Sequence, residues 1–313
     1  MISFRYHVVS IVAVFLALAL GVVVGTTALN GPITTNLRDQ VDSLKKDRSS
    51  LASQNQQLQN QASNANQFAN TFGAQVVKGQ LSGANVLLIS MPGAKGSVTD
   101  GITKQLNAAG ATINGRIEIN GDYTDPKHAD DIRSLVSGAN AVHPIGLTLP
   151  STDDAGQLGG ALLGFVLSGQ GTSSDIEAAL SAFTTAQMLK VVGNGVKPAK
   201  LAVVIGTGSM PANDAGSTNQ LALVTQMQLA GIHTLVAGDN DSATAGGLVA
   251  RVRTFDADKN TVSTVDNADT AMGQVSSVLA LAEVNGGKSG AYGTGNGASA
   301  LFPQPQTSAT SSK

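Results

Sequence analysis

The sequence predicts an α/β protein with three parts in series. These are a single N-terminal transmembrane helix, a coiled-coil stalk, and a mainly parallel-sheet domain built from two β-loop-α-β units. Three observations predict it. Residues 8–29 are apolar and carry no charge. Leucine then recurs every seven residues, at Leu37, Leu44, Leu51 and Leu58. Beyond residue 80, two continuous apolar runs each lead through a glycine-containing loop into a helical pattern that ends in glycine.

Residues 1–30 read as a membrane anchor or a signal peptide. At about 1.5 Å per residue, a helix over 8–29 spans the roughly 30 Å hydrocarbon core of a bilayer. A helix also satisfies internally the backbone groups that lipid cannot. Arg5 precedes the run and no acidic residue lies in the first seven. That favours a cytoplasmic N-terminus with the rest of the chain outside. The other reading is a cleaved signal, with Thr26, Thr27 and Ala28 as the small-residue site. Either one exports the stalk and the domain.

Residues 31–79 read as the stalk. Gly31 and Pro32 are expected to break or bend the helix as it leaves the membrane. With Val41 at a, the a row continues through Arg48, Asn55, Ala62 and Ala69. The d row is Leu37, Leu44, Leu51, Leu58, Ala65 and Phe72. Leucine at d is a coiled-coil pattern, and asparagine at a fixes register and favours dimers at some cost in stability. Leu37, Leu44, Leu51, Asn55 and Leu58 are therefore expected to hold a homodimer or higher homo-oligomer. The alternative is one amphipathic helix lying on its own domain, which suits the alanine-rich second half.

Residues 80–287 read as the extracytoplasmic domain. NVLLIS at 85–90 and KLAVVI at 200–205 are runs that suit strands buried on both faces. MPG at 91–93 and GTG at 206–208 follow them. Ser97 with Asp100, and Ser217 with Gln220, resemble capping boxes. Gly110 and Gly231 stand where helices stop, and strand candidates follow at 111–119 and 232–236. Helices are expected over 127–136 and 175–189, a core segment over 158–167, a strand over 261–265, and a helix ending at Glu283. Asn267 or Asp269 is expected to cap that last helix. Residues 288–313, rich in Gly, Ser and Pro, read as a disordered tail.

Composition narrows the function. Net charge is −2 and aromatics are 4%, which supplies neither a basic field nor stacking platforms for nucleic acid. Cysteine is absent, so thiolate metal sites are excluded. Methionines and histidines are scattered. The densest metal-type group is Asp122, Asp125 and His128 with Asp130 and Asp131, which also reads as a solvated turn before a helix. Gly206-Thr207-Gly208-Ser209 lacks the third glycine of a dinucleotide fingerprint, because Pro211 holds that place. Ser209 lacks a nucleophile elbow. Asp239, Asp241 and Asp266 fall near strand ends, where open α/β sheets place their sites. The pattern predicts no enzyme and no resident cofactor. It predicts a partner-facing or ligand-facing surface at Gly93, Gly208 and Asp239.

MISFRYHVVS at 1–10, ALALG at 17–21 and Gly25-Thr26 resemble the mycobacterial copper transporter family called MctB. VSTVDN at 262–267, GQV at 273–275, LALA at 279–282 and KSGAYG at 288–293 are similar to it as well. The resemblance implies a pore-forming copper-export protein of the outer membrane, with copper as the transported ion. Related corynebacterial members look like membrane-anchored coiled-coil partners in cell separation. The residues alone imply an anchored scaffold at the cell envelope with a protein partner. An outer-membrane barrel calls for many alternating segments of about ten residues, whereas this chain alternates apolar strands with helices.

Overall fold

The computed structural model describes residues 4–139, 141–206, 208, 215–256 and 261–304, apart from the side chains of 27–34, 215 and 217. The chain divides into two units, residues 1–64 and 65–313.

The first unit belongs to helix α1, Phe4–Val77. Its segment Phe4–Thr26 is long and apolar enough to cross a membrane, and its side chains are exposed. The expected break at Gly31-Pro32 does not occur, because α1 is helical across it. One proline removes a single bond from the helical ladder. Leu37, Val41, Leu44, Leu51 and Leu58 lie exposed along the following turns.

The second unit begins with the last turns of α1. Of the heptad positions there, Ala69 at a packs on the domain. Ala69, Gly73 and Val77 are buried against the domain. A Cβ on Gly73 would come within 2.5 Å of the Val275 side chain. The Asn66 side chain accepts from the backbone N–H of Ala271 at 3.1 Å.

Then follow β1 (Asn85–Ser90), α2 (Gly96–Ala108), β2 (Thr112–Ile119), α3 (Gly121–Thr124), α4 (Ala129–Ser137), α5 (Ala155–Leu167) and α6 (Ser173–Thr185). After these come β3 (Leu189–Val192), β4 (Leu201–Ile205), α7 (Ala215–Leu229), β5 (His233–Ala237), α8 (Leu248–Phe255), β6 (Ser263–Val265), α9 (Ala271–Asn285) and β7 (Ala291–Tyr292). Among the described residues the strands form one seven-stranded sheet in the order β3-β2-β1-β4-β5-β6-β7. Every pairing is parallel except β2 with β3. The α/β class with a mainly parallel sheet holds, and the sheet is open.

Two apolar layers cover it. On one face Leu87, Ile89, Ala202, Val204 and Val236 pack with Leu162, Phe183, Leu223 and Val249 from α5 to α8. On the other, Val86, Leu88, Val203, Leu235 and Val265 pack with Ile102, Leu106, Val278 and Leu281 from α2 and α9, and with Val77. This two-sided burial explains why β1 and β4 are uninterrupted apolar runs.

Some local expectations fail. Ser97 and Ser217 lie inside α2 and α7, and the N-cap of α2 is Lys95. A capping box forms instead at Thr172 and Asp175, ahead of α6. Thr270 caps α9, not Asn267 or Asp269. Leu189, expected to be helical, starts β3. The expected disordered tail is ordered in its first part: β7 lies within it and pairs with β6. Residues 305–313 fall outside the described residues.

Candidate functional site at the carboxyl ends of the sheet

The unit β1-α2-β2 runs away from the centre of the sheet in one direction, and β4-α7-β5 in the other. The order therefore reverses between β1 and β4. In open α/β sheets the crevice outside the strand ends at such a reversal is the usual ligand position.

The loop after β1 is a tight turn. The Met91 N–H donates to Ile205 across the reversal at 2.9 Å, and Ala94 N–H closes back on the Met91 carbonyl at 3.0 Å. Pro92 and Gly93 hold the corner, with Gly93 at φ +81°. Proline pre-sets the first corner position, and glycine takes the left-handed second one. Gly93 also lines a cavity of about 390 Å³ with Thr99, Asp100, Arg116, Glu118 and Asn120.

The turn delivers Lys95 to the start of α2. Its Nζ lies 2.8 Å from Asp239 Oδ2, a side chain only 11% exposed. Asp239 follows β5, and its Oδ1 also accepts from Ser242 N–H at 3.2 Å. The hydrogen bond and charge of Asp239 hold the Lys95 ammonium above its ordinary pKa, and Asp269 and Asp241 add to this. A Cβ on Gly208 would stand 3.1 Å from Asp241 Cβ and 3.7 Å from Asp239 Oδ1. Of the three anticipated loop residues, Gly208 and Asp239 are thus neighbours. Gly93 belongs to the same loop as Lys95, which bridges to them. The sequence reading missed Lys95 and Asp269 here. The signal was present: Lys95 is the one charged residue between the β1 run and Asp100. The arrangement is an ionic latch between two strand-end loops.

The metal-type group resolves into a surface turn. Asp125 caps a short 3₁₀ turn, accepting from Lys127 N–H at 3.0 Å. His128 Nδ1 lies 2.8 Å from Asp131, and its Nε2 lies 4.0 Å from Asp122. The Asp131 hydrogen bond raises the His128 pKa. Among the described residues no three His, Cys, Asp or Glu side chains are grouped to hold a metal. Met91, Met188 and Met227 are in the apolar core. Thr207, Ser209, Met210 and Pro211 lie outside the described residues.

Two late segments singled out in the sequence, 262–267 and 288–293, converge on one buried pair. Asp266, at the end of β6, is fully buried and pairs with Arg253 of α8 at 2.9 Å. Arg253 also donates to Thr264 Oγ1 at 2.9 Å, Tyr292 O at 2.9 Å and Asn296 O at 2.7 Å. Asp266 accepts in turn from the backbone N–H groups of Thr294 at 2.8 Å and Gly295 at 3.0 Å. The Tyr292 hydroxyl donates to Glu283, and burial with that carboxylate pushes its pKa upward.

These features define a class: an open α/β sheet domain behind an N-terminal helix fit to cross a membrane. The chain belongs to the MctB family, described as copper transport outer membrane protein, whose profile matches residues 1–303. It is 32% identical to the copper transporter MctB of Mycobacterium tuberculosis, over 95% of this chain and 98% of the relative. It is 33% identical to the copper transporter MctB of Mycobacterium leprae, over 96% of this chain and 99% of the relative.

Proposed function

We propose that this chain is a copper transport and efflux component of the cell envelope. The observation that carries this is kinship along the whole chain, with relatives named copper transporters aligned over 95–96% of it. The apolar Phe4–Thr26 segment supports a membrane anchor, with the α/β domain outside the cytoplasm. The family description supports the outer membrane as its place. The described sheet is open, so in this reading a pore belongs to an assembly of copies or partners. A deletion strain should gain copper and lose copper tolerance, and the intact gene should restore both. Unchanged tolerance and unchanged cell copper would refute the reading.

A second reading, an anchored coiled-coil scaffold for envelope or cell-separation proteins, is favoured by the exposed heptad row. Leu44, Leu51 and Leu58 are more than 60% exposed in one chain, and a second copy would cover them. The partner-facing surface would be the loops at Gly93, Gly208 and Asp239. Replacing Gly93 and Gly208 with larger residues in a folded protein tests that surface. Wild-type copper tolerance, cell separation and partner capture would make those loops connectors only. Cell chaining of the deletion strain with normal copper tolerance would select the scaffold reading.

A further inference from the structure

The last turns of α1 carry two apolar stripes, and only one of them is used. Ala69, Gly73 and Val77 are buried in the domain. Phe68, Phe72 and Val76 are 65%, 43% and 44% exposed. Each exposed residue immediately precedes a buried one. One residue is about 100° around a helix of 3.6 residues per turn, so the two stripes are about 100° apart. The exposed stripe is prearranged, with Phe68 and Phe72 ring centroids 4.8 Å apart.

We propose that a second copy of this chain docks along Phe68, Phe72 and Val76 and closes the dimer at the foot of the domain. The proposal rests on the dimeric stalk and extends it beyond the leucines. Three observations choose the occupant. Phe72 stands on the d row, fourteen residues after Leu58, so the stripe continues the leucine seam. No charged residue lies between 49 and 77, so a charged partner finds no complement there, whereas an identical helix meets no like charge. Two copies anchored through Phe4–Thr26 in one bilayer run parallel, which sets like residues opposite each other.

The domain also dictates how the seam ends. Ala69 is the a residue of its heptad, and the domain has taken it. The last interhelical layers therefore use Phe68 at g, Phe72 at d and Val76 at a. The helix–helix contact shifts around α1, away from Ala69, and leaves each domain seated on its own helix.

The chain contains no cysteine, so single cysteines report contacts cleanly. Leu51→Cys, Phe72→Cys, Val76→Cys and Ala74→Cys are made in the full chain, reconstituted in lipid nanodiscs and oxidised mildly. A disulfide needs Cα atoms within about 7 Å, so residues facing across the seam should join at least roughly tenfold faster than Ala74→Cys on the far side of α1. The proposal expects fast joining at positions 51, 72 and 76. Fast joining at 51, with 72 and 76 no faster than 74, overturns it and leaves the leucine stalk standing. No joining at any position overturns both. Equal joining at all four positions marks random collision and also overturns it.

Discussion

Replacing Asp266 by Asn should produce a large stability loss. Asp266 has no exposed surface and the Arg253 side chain is 7% exposed. Removing one partner of such a pair leaves the other charge buried without a counterion, which destabilises by about 3–5 kcal/mol. A folded domain of this size holds about 5–15 kcal/mol in all. At about 2–4 °C per kcal/mol, the midpoint should fall by about 6–20 °C. Denaturant and thermal unfolding of the full chain in detergent, followed by far-UV circular dichroism, measures this. Arg253→Met should cost a comparable amount, because it leaves the Asp266 carboxylate buried with only the N–H groups of Thr294 and Gly295. The double variant should recover part of the loss, since contacting residues couple by about 0.5–3 kcal/mol. In Asp266→Asn, residues 293–297 should lose amide-exchange protection before the central strands do. A stability change under about 0.5 kcal/mol for Asp266→Asn, the range of an ordinary surface change, would refute the reasoning.

Three further outcomes are expected. Leu44→Asp with Leu51→Asp should turn a dimeric full chain into a monomer by sedimentation, and a monomeric wild type would count against the stalk. His128 should titrate above an ordinary histidine because Asp131 favours its charged form. Its stabilising contribution is then full below the unfolded pKa of about 6.5 and is lost as pH rises through the folded value. An NMR titration of wild type and Asp131→Asn reads this, and an unchanged pKa in the variant would remove the cause. Gly273→Ala should destabilise by about 1–3 kcal/mol through overpacking, because its Cβ would meet the Asn267 carbonyl oxygen at 1.9 Å. The same change in an open helix interior stabilises by up to about 1 kcal/mol, so the sign of a denaturation shift decides.

Helix stops are legible where glycine makes them and hidden where it does not. Gly110 and Gly231 have φ of +85° and +84°. In each case the next residue donates back five positions, Ala111 to Leu106 and Ile232 to Met227. That is the Schellman geometry glycine signals. Helix α6 ends by the same bonds, with Met188 donating to Phe183 at 2.9 Å and Gln187 to Thr184 at 3.0 Å. There the left-handed residue is Gln187, at φ +60°. A glutamine gives no such signal, so the sequence pattern runs the helix on to 189 and hides the start of β3. The serines at 97 and 217 mislead in the opposite sense. A Ser with an acid or amide three residues on has the capping composition, but both helices begin before them. In the candidate site, the strand-end aspartate is legible from strand order alone. Its pairing with Lys95 is not, because that contact joins residues 144 positions apart through the sheet.

The tail defeats a composition argument for a physical reason that also bears on function. Gly, Ser and Asn between 286 and 300 bury little apolar surface of their own. Their order comes from outside the segment: Arg253 grips Tyr292 O and Asn296 O, and Asp266 receives Thr294 and Gly295 N–H. Gly293 sits at φ +124°, and a Cβ there would overlap Asp266 at 2.2 Å. Gly293 is therefore demanded twice, by conformation and by contact. Tyr292 anchors to Glu283, which lies just past the LALA run on the buried face of α9. Segments 262–267 and 288–293, which resemble the family, thus meet in one packed unit around Arg253 and Asp266, and Tyr292 ties the end of α9 to it through Glu283. Whatever distinguishes this protein's work from its folding must be sought on surfaces the domain does not consume. On α1 those surfaces are the leucine row from 37 to 58 and the stripe of Phe68, Phe72 and Val76.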